Sequence, residues 1–132
     1  MQVLEKWHSM IAALDPGGLD EILADDCVFY SPVVHSPQEG KALTTLYLTG
    51  AMNVFNESFT YVKEVVTDTH AVLEFECTVD GIIVNGVDIM TFNEEGKISE
   101  FKVMVRPLKG IGMLQAKMKA MLEELSSQDG AA

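Results

Sequence analysis

The chain is short of positive charge. Its 132 residues carry eight lysines and a single arginine, Arg106, against 20 Asp and Glu, for a formal net charge of −11. Phosphate backbones and anionic membrane surfaces are recognised by clustered Lys and Arg. Here only Lys117 and Lys119 lie close together, so neither nucleic acid nor a membrane is expected as a partner. Cysteine is sparse too. Cys27 and Cys77 each sit inside an apolar run, neither belongs to a Cys-x-x-Cys pair, and His8, His35 and His70 offer no ligand spacing, which argues against a zinc site. Two buried thiols in a cytoplasmic protein is the first reading of this pair, and one disulfide in a secreted domain the second. No apolar run approaches the ~18 residues of a membrane span, and the N-terminus lacks a basic segment followed by a long apolar core. A cytoplasmic protein is expected.

What is present is a core. Hydrophobic residues make up 48% of a chain long enough for one domain. No repeat, linker or low-complexity stretch divides it, so residues 1–125 read as one domain and 126–132 as a flexible tail. Val3, Leu4, Trp7, Met10, Ile11 and Leu14 recur at helical spacing until Asp15-Pro16-Gly17-Gly18 stops them. A short helix over about 19–23 and a strand over 27–30 follow. Ser36-Pro37-Gln38-Glu39 has the form of a capping box with proline at the first helical position, predicting a helix to about Phe55 with Leu43, Leu46, Tyr47, Gly50 and Val54 on its buried side. From Phe59 the period changes to two. Strands are predicted over 59–66, 70–79, 84–93 and 98–105, joined by short Asp-, Asn- and Gly-rich turns that imply antiparallel hairpins. A helix over about 111–125, striped by Leu114, Met118, Met121 and Leu125, closes the chain.

Early helices followed by a strand meander predict an α+β fold. Along 70–79, Ala71, Leu73, Phe75, Cys77 and Val79 share one face and Val72, Glu74, Glu76 and Thr78 the other. On the next strand Val87 and Ile89 oppose Met90 and Phe92, so both faces are apolar. Such a sheet needs a second cover, and a homodimer through the outer sheet face is expected.

The order of elements and several short segments resemble the SnoaL-like branch of the nuclear transport factor 2-like superfamily. The segments are Val28-Phe29-Tyr30-Ser31-Pro32, Pro37-x-x-Gly40, Gly86-Val87-Asp88-Ile89, Glu95-Gly96-Lys97-Ile98 and Val103-Met104-Val105-Arg106-Pro107-Leu108. The resemblance implies a cone: a strongly curved, mainly antiparallel (mixed) sheet wrapped around helices, with a central pocket at the open end. It also implies a small-molecule-binding protein acting on an apolar, oxygen-bearing ligand. Relatives include cyclases, isomerases, hydrolases and non-catalytic binders, so the fold does not choose among them. No cofactor is implied.

Asp88 is the first site candidate. A carboxylate among Met and Phe side chains has reason to hold its proton and so to serve as a general base next to a carbonyl; the alternative is a structural acceptor. Glu76 shares a face with Asp88 if the hairpin turns near Ile82, making a carboxylate pair of the kind that splits two pKa values. A slip of one residue separates them. Trp7, Tyr30 and Met90 are candidates for ligand contact or core, and His35 for the pocket rim or a plain exposed loop. Arg106 falls in phase with Glu100, Lys102 and Met104, which suits a structural clasp better than a ligand contact. The resemblance places Phe101 and Val103 inward. The strand pattern assigns no tyrosine to an acid.

Overall fold

The structure, a computed structural model, describes residues 2–130. Helix α1 (Gln2–Ala13) buries Leu4, Trp7, Met10 and Ile11 along one stripe. A 3-10 turn (Pro16–Gly18) ends it, with the Asp15 carboxylate accepting the Gly17 N–H at 2.9 Å. Helix α2 (Leu19–Ile22) leads into strand β1 (Leu23–Tyr30), which begins earlier than the apolar run suggests and carries Asp25 and Asp26 as exposed residues.

The third helix starts later than the capping box predicts. Gln38–Glu39 form a short strand, β2, paired antiparallel with Val28 and Phe29, and the Gly40 N–H donates to the Cys27 carbonyl at 2.8 Å. These sheet bonds keep Ser36-Pro37-Gln38-Glu39 from winding into a helical turn, and Ser36 stays exposed. Gly40, at φ 98, turns the chain, and helix α3 (Lys41–Val54) follows. The stripe also shifts. Thr44, Leu48, Gly50, Met52 and Val54 are buried, whereas Leu43 is exposed.

Strands β3 (Thr60–Val66), β4 (His70–Val79), β5 (Ile82–Phe92) and β6 (Ile98–Arg106) follow closely the strands expected, and helix α4 (Leu108–Gly130) begins earlier than expected. It also continues into the segment set aside as a tail, whose last two residues lie outside those described. The sheet is mixed and open, in the order β2-β1-β6-β5-β4-β3, with β1 and β6 parallel and every other pair antiparallel. Trp7 and Ile11 of α1 and Leu48 and Met52 of α3 pack on its inner face in one large core. Val54, Phe75, Val84 and Leu114 form a second cluster beneath α4. No described helix is long and apolar enough to cross a membrane.

One turn fixes the strand phase. Asp80 and Gly81 have φ of 51 and 78, the two positive values a type I′ hairpin turn needs, and Val79 pairs with Ile82 across them. The inner face of β5 is therefore Val84, Gly86, Asp88, Met90 and Phe92, and the outer face Ile83, Asn85, Val87, Ile89 and Thr91.

Candidate active site

Asp88 lies near the middle of β5, opposite Leu73 of β4 and Val103 of β6, with its side chain on the concave face. It is a buried ionisable residue in a wall made largely of apolar side chains. Its partner comes from two strands away. Tyr61 of β3 reaches across β4 and its hydroxyl donates to Asp88 Oδ2 at 2.6 Å. A bulge after Tyr61 shifts the β3–β4 register, with Tyr61 opposite Phe75 and Lys63 opposite Glu74. Bulges re-aim side chains in this way.

Trp7 of α1 completes the chain, its indole Nε1–H donating to the Tyr61 hydroxyl at 2.8 Å. Direction follows from chemistry. An indole only donates, so the Tyr61 oxygen accepts from Trp7 and gives its one proton to Asp88. Burial raises the Asp88 pKa to about 7, and the Tyr61 hydrogen bond opposes that rise by favouring the carboxylate. The Tyr61 hydroxyl is in turn pushed well above its ordinary range, first by burial and then by the Asp88 charge.

The cavity that Trp7 and Asp88 line measures about 60 Å³. Phe29, Phe59 and Phe101 form its aromatic wall with Trp7, and the Trp7 and Phe101 rings meet edge to face at 5.1 Å. Tyr47, Leu48, Ala51 and Met52 of α3 and Leu114 and Met118 of α4 also line it. Among the described residues, no Lys, Arg or His lines the cavity. Ser31 is at the rim, its Oγ accepting the Val33 N–H at 3.1 Å. The arrangement suits a neutral, mainly apolar molecule that meets one titratable oxygen pair.

The residues singled out in the sequence divide accordingly. Asp88 and Trp7 come together at the cavity. Glu76 does not join them: the Asp80-Gly81 turn pairs it with Asn85, and it is exposed on the convex face, so the expected carboxylate pair is not formed. Arg106 also pairs with Asn85 and lies exposed on that outer face, beside a groove lined by Lys63, Glu74, Val87 and Met104. Tyr30 and His35 border a separate outer groove, where the Lys102 ammonium sits 5.0 Å from the Tyr30 ring centre. Met90 is fully buried in the core rather than at the cavity wall. The tyrosine–acid pair that the strand pattern did not assign is present, as Tyr61 and Asp88. Its signal in the sequence is the inner-face phase of Asp88 set by Asp80-Gly81; the bulge in β3 hides the other half.

The sequence model of the SnoaL-like domain family matches residues 4–101. In three dimensions the chain is similar to a steroid delta-isomerase from Pseudomonas aeruginosa, at 31% identity and a TM-score of 0.84, covering 99% of this chain and 93% of that one. It is similar also to an uncharacterised, bacterially conserved protein with a cystatin-like fold from Silicibacter pomeroyi, at 30% identity and a TM-score of 0.84, covering 89% and 83%. An epoxide hydrolase/cyclase-like enzyme of pyran ring formation in salinomycin shares the fold at 18% identity and a TM-score of 0.63, over 80% of this chain and 88% of that one. No protein of curated function matches the sequence. The family match spans more than half of the chain and agrees with the curved sheet and its helices: the protein belongs to the SnoaL-like domain family.

Proposed function

We propose that the protein binds a neutral, mainly apolar, oxygen-bearing small molecule and performs cofactor-independent proton transfer on it, with Asp88 as general base. The observation that carries this reading is the buried chain Trp7–Tyr61–Asp88 ending at an apolar cavity. A structural ion pair would hold the carboxylate's pKa down, whereas here burial raises it to about 7, where a base both ionises and binds a proton readily. In the step proposed, the Asp88 carboxylate takes a proton from the carbon beside a carbonyl. The C–H electron pair becomes the enolate double bond and the carbonyl π pair moves onto oxygen; the same carboxyl group then returns the proton to the α-carbon or, where a β,γ double bond makes a dienolate, to the γ-carbon, as the oxygen's pair restores the carbonyl. The likeness to a steroid isomerase supports this class of reaction.

The test uses cyclohexanone, a neutral one-ring carbon acid, and follows exchange of its α-protons with deuterium by NMR. The protein should accelerate exchange, with the rate rising with pH and levelling above about 7. Asp88→Asn should reduce the rate by roughly 10²–10⁴-fold. If the variant folds and exchanges at the wild-type rate, Asp88 is not the base. A second reading, a non-catalytic binding module, is favoured by the exposure of Glu76, which leaves Asp88 without a second carboxylate. Binding of the ketone with no accelerated exchange would select it.

We also propose a homodimer through the convex sheet face, where Val65 and Met104 are 64% and 49% exposed and Val72 and Val87 continue the patch. A cytoplasmic setting fits the two buried, unpaired thiols of Cys27 and Cys77.

A further inference from the structure

We propose that helix α4 sets the size of ligand the cavity accepts, with Leu114 and Met118 as specificity-determining residues. The inference rests on the reading of the cavity as the ligand site. Two halves of the cavity wall differ in how firmly they are held. Trp7, Phe29 and Phe101 interlock at centroid distances of 5.1 and 6.0 Å within the main core, and moving Trp7 breaks its bond to Tyr61. Leu114 belongs instead to the second cluster, and Met118 packs at its margin. Neither Leu114 nor Met118 is a member of the hydrogen-bonded chain at Asp88, although the Tyr61 ring packs against both clusters.

The side chains there suit such a role. Met113, Met118 and Met121 attach α4 to that cluster, and unbranched thioethers repack at low cost. Met118 Cε comes within 3.1 Å of the space a Cβ at Gly50 would fill, so α4 closes down directly on α3. The cavity left is about 60 Å³, well below the several hundred Å³ usual for pockets that enclose a drug-sized ligand. The SnoaL-like match ends at residue 101, before α4 begins, so the residues closing the cavity lie beyond the matched segment.

The experiment compares cyclohexanone with 2-decalone, its two-ring counterpart. Binding is read from the fluorescence of Trp7, the one tryptophan in the chain and part of the cavity wall. The wild type should prefer cyclohexanone. In Leu114→Ala/Met118→Ala the order should reverse, 2-decalone gaining about tenfold while cyclohexanone changes by less than about threefold. A folded double variant that keeps the wild-type order overturns the inference and leaves the ligand site standing. If neither ketone binds either protein, the reading of the cavity fails and this inference with it. Should the double variant not unfold cooperatively, Met118→Ala alone, which removes a half-buried side chain, is judged by the same reversal.

Discussion

Asp88 keeps its proton to about pH 7 because the folded chain surrounds it with apolar side chains and offers one donor in place of bulk water. That preference has a sign in stability. Between the unfolded carboxylate pKa, 3.8, and about 7 the native state binds the extra proton, so this residue's contribution to stability falls as pH rises through that window. The full difference is on the order of 4 kcal/mol. Asp88→Asn removes the titration and keeps an oxygen for Tyr61 to donate to. The variant should match the wild type near pH 4 and exceed it in melting temperature by a growing margin to pH 8, as read by parallel thermal melts. Tyr61→Phe removes the donor that favours the carboxylate, so the Asp88 pKa should rise further and the exchange profile move to higher pH. A wild-type profile in Tyr61→Phe would show that the hydroxyl does not tune the base. Trp7→Phe should move the profile the same way by less, since it acts through Tyr61.

The same logic applies at the level of strands, where phase decides which residues meet. Asp80-Gly81 demands a two-residue turn with positive φ at both positions, and this turn alone puts Asp88 inside and Glu76 outside. The alternation of β4 and β5 was legible from the sequence, as were most strand boundaries. The start of α3 was not, because a good local capping signal lost to two sheet pairings contributed by β1, the preceding strand. Tyr61 was not legible either, since a bulge in β3 interrupts the period that would have matched it to Asp88. Gly86 marks where the sheet is tightest. A Cβ there would lie 2.4 Å from the Phe75 ring and 2.7 Å from the Met104 carbonyl oxygen. Gly86→Ala should cost about 1–3 kcal/mol, measured by urea unfolding, because the backbone contact cannot be relieved by a rotamer change.

For the whole molecule, the convex face and the net charge pull in opposite directions. Val65, Val72, Val87 and Met104 form an apolar patch with the Lys63–Glu74 ion pair at 3.8 Å beside it, while a charge of −11 on each chain repels a second copy. Dimerisation should therefore strengthen with added salt, which screens the repulsion and leaves the apolar contact intact. Met104→Glu should give a monomer in sedimentation or gel filtration with little change in the melting temperature of the protomer. A wild type that remains monomeric at high salt would remove the dimer.

The sequence by itself determined the α+β class, the alternation along the strands and the presence of an acid on an apolar strand, because each rests on local periodicity, turn chemistry and composition. Tertiary structure alone decided that Asp88 meets Tyr61 and Trp7, that Glu76, Arg106, Tyr30 and His35 fall outside the cavity, and that α4 closes it. Those outcomes depend on strand register, a bulge and the packing of helices far apart in the chain. The lone arginine and the buried aspartate share one hairpin, yet the β5–β6 register and the pleat put them on opposite faces of the sheet.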